Sequence, residues 1–169
     1  MKRRLCLLLA ITLLLVSGGG CASEPEKRTE DTGTAPDFTV LDGNGNEVQL
    51  SDFLGQPVVL NFWATWCYYC KVEMPDFDRA YAEYPEVQFL MVNATDGVEE
   101  TVESAKKYVA DEGYAFDIFF DTAFDAINAY GISGFPTTFF IDANGDVVTY
   151  RKGMINYETL VSGIGMITE

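Results

Sequence analysis

The sequence predicts an α/β fold, with one mixed β-sheet carrying helices on both faces. Three observations predict it. Short β-branched and aromatic runs alternate with helical stretches along most of the chain. The run at residues 58–63, VVLNFW, is apolar at successive positions, as a strand covered on both sides must be. Near its end the chain has two strand-like runs flanking Ala143-Asn144-Gly145, a hairpin signal that adds antiparallel pairing. At 169 residues the chain suits one domain with a core of its own, and 48% hydrophobic content places it among globular chains.

Residues 1–21 read as a leader. Lys2, Arg3 and Arg4 precede an apolar stretch at residues 5–16, twelve residues that are too few to cross a bilayer. The leader ends Ser17-Gly18-Gly19-Gly20-Cys21, and Cys21 is the candidate for lipidation, with ordinary cleavage to a soluble form or an uncleaved anchor as the alternatives. Lipidated leaders of this kind carry a large apolar residue where Gly18 stands. Residues 22–35 have no apolar periodicity and read as a flexible tether, with order expected from Pro36 and a single domain over 36–169.

Within the domain, residues 38–41 and 48–50 flank Asp42-Gly43-Asn44-Gly45-Asn46 and predict a hairpin. Ser51 is the expected cap of a short helical turn that Gly55 and Pro57 break. The strand at 58–63 leads into a helix over 67–84, kinked at Pro75. A second central strand follows at 87–93. Asp96 and Glu99 resemble a capping box for a helix running to Glu112 and ended by Gly113, with Val98, Val102, Ala105 and Val109 as its apolar stripe and Glu103–Lys107 as a surface pair. Then come a short strand near 116–120, a helix over 123–130 capped by Asp121, strands at 137–141 and 147–152, and a closing helix over 157–167.

Composition excludes several functions. The net charge of −15 becomes −18 when the three cations ahead of Cys21 are removed, which repels nucleic acid and anionic lipid alike. Membrane residence therefore requires an anchor such as a lipid. Histidine is absent, so no Ser-His-Asp or Cys-His pair exists and no histidine ligates a metal. Cys67 and Cys70 are the domain's two thiols, too few for a four-cysteine zinc site, and no metal is expected. No glycine fingerprint for a dinucleotide follows a strand.

The chemistry points to residues 58–75, VVLNFWATWCYYCKVEMP. A buried strand, a turn and then Cys-x-x-Cys at a helix start is a layout for dithiol–disulfide exchange. Free N–H groups and the positive end of the helix dipole favour a thiolate there. Cys67, expected at the exposed lip, is the nucleophile, and Cys70 resolves the mixed disulfide. Tyr68 and Tyr69 between them do not reveal the reduction potential. Glu73, three residues beyond Cys70, sits on the same helical face and is the candidate proton partner of Cys70.

WCYYC followed by Glu73 and Pro75, an APDF segment with a hairpin ahead of it, and Gly134-Phe135-Pro136-Thr137 together resemble the thioredoxin superfamily, and within it the membrane-tethered TlpA/ResA-like thiol oxidoreductases. The resemblance runs from about Ala35 to the C-terminus. It implies a thioredoxin-like fold with an N-terminal hairpin extension and an inserted helix and strand. It implies a cis Pro136, a functional role for Glu73, and substrate contacts from Trp66, Phe135 and Thr137. Asn61 stands where the thioredoxin branch has a buried Asp, and it cannot titrate. The redox group is the Cys67–Cys70 pair, with no further cofactor. Implied partners are protein disulfides or thiols, apocytochromes c among them, and a membrane thiol-electron donor of the CcdA/DsbD type. The expected place is outside the cytoplasm, on a membrane, with the protein acting as a reductant. Rival readings are a disulfide donor, a thiol peroxidase and a metal- or apo-protein-binding module. The peroxidase signature needs Pro and Thr where Leu60 and Ala64 stand.

Overall fold

The computed structural model describes residues 33–168. The leader, Cys21 and residues 22–32 of the expected tether lie outside them. Seven strands form one sheet in the order β2-β1-β5-β4-β3-β6-β7. They are β1 (Thr39–Leu41), β2 (Glu47–Gln49), β3 (Val58–Trp63), β4 (Gln88–Asn93), β5 (Ile118–Phe120), β6 (Thr137–Ile141) and β7 (Val147–Lys152). The helices are α1 (Tyr68–Glu83), α2 (Val102–Glu112), α3 (Asp125–Ala129) and α4 (Tyr157–Thr168).

The strand β3 is central because it can be dry on both sides. It pairs in parallel with β4 from Val58↔Gln88 to Trp63↔Asn93 and antiparallel with β6, and all six of its residues are buried. Its alternation divides the core in two. Val59 and Trp63 join Met74 and Phe77 of α1, Ala105 and Val109 of α2, and Leu160 and Ile164 of α4. Val58, Leu60 and Phe62 join Phe38, Val40, Leu50, Phe119 and Ala126 on the opposite face. Helices thus lie on both faces, three on one side, with α3 and the N-terminal segment on the other. The helix α4 approaches the sheet closely at Gly163, where a Cβ would lie 2.3 Å from the Phe140 ring.

Some boundaries differ from the sequence expectation, each for a local reason. The short turn after β2 is a 3-10 helix, Leu50–Phe53, and Ser51 does not cap it. Its N-cap is Gln49, whose N–H donates to Asp52, while the Ser51 N–H donates to Asp37 Oδ1 at 3.0 Å. Helix α2 starts later than Asp96. Asp96 Oδ1 accepts from the N–H groups of Val98, Glu99 and Glu100, closing a separate turn. The capping box belongs to Thr101 and Ser104, and Val98 is 84% exposed instead of lining the stripe. Lys107 pairs with Asp111 at 2.6 Å, the other neighbour four residues away, instead of with Glu103. Gly113 does end α2, with φ +74 and its N–H returned to Val109 and Ala110.

Pairing also begins before Pro36. Gly33 accepts from the Val147 N–H, Thr34 bridges Asp146, and Ala35 donates to the Gly145 carbonyl at 2.8 Å. The turn they grip joins β6 to β7. It lies at the Val58 end of β3, the pole opposite the end where β3 delivers Trp63. Among the described residues no helix is long and apolar enough to cross a membrane.

Candidate active site

Strand β3 ends at Trp63, and four residues later Cys67 becomes the N-cap of α1. Cys67 and Cys70 are joined in a disulfide with Cα atoms 5.3 Å apart. The Cys70 N–H points at Cys67 Sγ from 3.1 Å. In the reduced state that donor and the helix dipole favour charge on Cys67 over Cys70, as the order of attack requires. Cys67 is less open than a lip position implies. It is 6% exposed and Cys70 is fully covered, because Trp63, Ala64 and the first turn of α1 close around them. Tyr68 and Tyr69 point outward and meet edge-on at 5.4 Å.

Behind the disulfide, Glu73 is buried, not a surface residue of an amphipathic helix. Its position follows from the helix: three residues past Cys70 is one turn, on the face packed against the sheet. Its Oε1 accepts from Asn61 Nδ2 at 2.9 Å, and its Oε2 accepts from the Ile155 N–H at 3.0 Å. Asn61 Nδ2 also donates to Thr138 Oγ1 at 3.0 Å. Burial pushes the Glu73 carboxyl up to about 7, with the Asp76 charge adding to it and the two hydrogen bonds opposing it. A carboxyl with that affinity, one turn from a resolving cysteine, can exchange a proton near neutrality.

Beside the disulfide, the Phe135–Pro136 peptide bond is cis. Phe135 meets Trp66 edge-on at 5.6 Å, and Trp66 is 56% exposed. Thr137 does not join this rim. It is buried, and its hydroxyl donates to the Gly134 carbonyl at 2.8 Å, so it braces the loop. Trp66, Cys67, Cys70, Glu73, Phe135 and Pro136 therefore belong to one neighbourhood. Among the described residues no group of three or more Cys, Asp or Glu is placed to hold a metal ion.

Sequence reasoning missed Glu100. It is fully buried, and its Oε2 accepts from the Thr65 N–H at 3.0 Å and the Thr65 hydroxyl at 2.6 Å. Its Oε1 accepts from Asn93 Nδ2 at 2.7 Å. Glu100 thereby ties the end of β4 to the turn that delivers Cys67. The available signal was Thr65, a hydroxyl in a turn beside a cysteine motif, but nothing local names its partner.

The sequence model of the AhpC/TSA family matches residues 32–150. A thiol-disulfide oxidoreductase ResA from Geobacillus kaustophilus is 37% identical over 166 residues, covering 94% of this chain and 93% of that protein. Among solved structures, a protein described as a thiol:disulfide interchange protein DsbE from Chlorobium tepidum superposes with a TM-score of 0.71 at 32% identity, covering 80% of this chain and 95% of that one. The pneumococcal exposed lipoprotein thioredoxin from Streptococcus pneumoniae superposes with a TM-score of 0.67 at 27% identity, covering 76% and 98%.

Proposed function

The chain belongs to the AhpC/TSA family and, within it, to the ResA-type thiol-disulfide oxidoreductases of thioredoxin-like fold, and from this premise we propose that it reduces protein disulfides outside the cytoplasm. The observation that carries the reading is a disulfide at a helix N-terminus backed by a buried carboxyl of raised proton affinity. In the reduced protein, the Cys67 thiolate attacks one sulfur of a client disulfide, and a client thiolate leaves. Cys70 gives its proton to Glu73 and attacks Cys67 Sγ. The second client sulfur leaves as a thiolate, to which Glu73 can return the proton, and the domain ends oxidised, as it stands in this structure. Two electrons pass to the client, and the pair needs no added cofactor.

Trp66 and Phe135 form the apolar rim on which the client docks, next to the cis Phe135–Pro136 bond, whose backbone is available for strand-like pairing with the client. Thr137 serves substrate binding by holding that loop. A membrane thiol-electron donor of the CcdA/DsbD type would re-reduce the pair, and apocytochromes c are among the fitting clients. A lipid on Cys21 would tether the protein. The leader sequence supports this, as does the likeness to an exposed lipoprotein thioredoxin. Membrane fractionation of Cys21→Ser against the wild type tests it, and retention of the variant in the membrane fraction would defeat the lipid.

The direction of electron flow rests on one measurement, the potential of the Cys67–Cys70 couple in glutathione buffers. A value near the thioredoxin end, about −270 mV, is expected for a reductant. A value near about −120 mV would make the protein a disulfide donor.

A further inference from the structure

A groove of about 420 Å³ opens at Trp66, the residue before Cys67, and is lined also by Asp96, Phe124, Ile127, Ile132 and Phe135 among others. Its walls are aromatic and aliphatic, and among these six residues Asp96 alone carries a charge. Asp96 is exposed, and its Oδ1 accepts the three N–H groups of the turn it closes. Its Oδ2 has no hydrogen-bond partner among the described residues. Those same three bonds hold the carboxyl below its ordinary range, so it is ionised at neutral pH. Phe124 reaches the groove from a left-handed backbone conformation, φ +56, that a bulky side chain rarely adopts. Among the described residues, no lysine or arginine stacks on Trp66, Phe124 or Phe135, although four other rings do carry one.

Apolar walls with one ionised carboxylate suit a side chain with an apolar stem and a cationic head. A purely aliphatic side chain would have to lie against Asp96 without compensating it, and an acidic one would be repelled. The formal net charge of −15 favours the same partner at longer range. We propose that the groove between Trp66 and Phe124 is a subsite for an arginine or lysine lying within a few residues of the client's cysteine, its stem on the aromatic walls and its cation on Asp96. The proposal rests on the thiol-exchange reading above and names the class of client segment that the exchange favours.

The test uses disulfide-linked dimers of short cysteine peptides that differ at one position: arginine, glutamine or glutamate. That position is scanned through three places on either side of the cysteine. Reduced protein is mixed with each dimer and peptide release is followed by thiol alkylation. Each turnover consumes one peptide disulfide, yields two peptide thiols and leaves the Cys67–Cys70 disulfide. The arginine peptide should react roughly five- to ten-fold faster than the glutamine peptide in at least one register, and the glutamate peptide slower still. In Asp96→Asn, which keeps an oxygen to close the turn, the arginine peptide should fall to within about two-fold of the glutamine peptide. Equal rates for arginine and glutamine in the wild type would overturn the subsite and leave thiol exchange standing. A preference that survives in Asp96→Asn would overturn it too, by assigning the selection to the general field. No reaction with any peptide would overturn the exchange reading and the subsite together.

Discussion

Two buried carboxylates flank the disulfide, and they are held in different ways. Glu100 accepts three hydrogen bonds, two of them from Thr65, and so fixes the turn between β3 and Cys67. Glu73 accepts two, one from the Asn61 amide and one from a backbone N–H of the distant loop at Ile155. Both are sealed from water. The difference teaches that two buried carboxyls beside one site can be bonded for different ends. Glu100 is a fastening, with two bonds to the turn and one to the end of β4, whereas Glu73 lies one turn from a cysteine with its proton affinity raised to about 7. The first sets geometry, and the second is the one for which we propose a part in moving a proton.

That contrast can be broken most severely at Glu100. Glu100→Ala leaves the Thr65 N–H and hydroxyl and the Asn93 amide without their acceptor, and should cost about 4 kcal/mol in chemical denaturation. A loss below about 1 kcal/mol would mean that the turn holds itself. The next effect depends on pH. Glu73 in the folded state stays protonated above its unfolded value of 4.5, up to about 7. Its contribution to stability is therefore fully present below about pH 4.5 and is lost as pH rises through about 7. Glu73→Gln removes that slope, so wild type should lose about 2–3 kcal/mol relative to the variant between pH 4 and pH 8. Parallel stability curves would refute the raised affinity. The same variant should shift the thiol titration of the reduced protein, and an unchanged curve would remove Glu73 from the proton path. The smallest effect is at Thr138→Val, which deletes the second bond of the Asn61 amide. It should cost about 1 kcal/mol while keeping the pH slope, measured by the same denaturation series.

Much of this was legible in the sequence because it depends on local patterns. The apolar run of β3, the two Asp-x-Asn-Gly turns, Cys-x-x-Cys and Gly-Phe-Pro-Thr each announce themselves within a few residues, and β6 and β7 fall where the alternation puts them. The spacing also gave Glu73 its helical face. What stayed hidden depends on distant partners. Glu100 follows Asp96 and Glu99 in an acidic stretch that looks uniformly solvated, and only the late start of α2 at Val102 turns one of the three inward. The bond from Ile155 to Glu73 spans 82 residues and involves a backbone N–H, which no residue type announces. Thr137, expected to contact substrate, has its side chain turned inward to the Gly134 carbonyl, because a hydroxyl beside a proline loop can face either way.

The grip of Gly33, Thr34 and Ala35 on the turn between β6 and β7 has a consequence for handling the molecule. The six residues of β3, about 20 Å of strand, separate that grip from the end where Trp63 and the disulfide lie. A bead, electrode or fluorophore joined ahead of Gly33 would hold the domain by its far pole and present the sulfurs outward. The polarity of the domain on a surface is therefore written in three hydrogen-bonded residues remote from any chemistry.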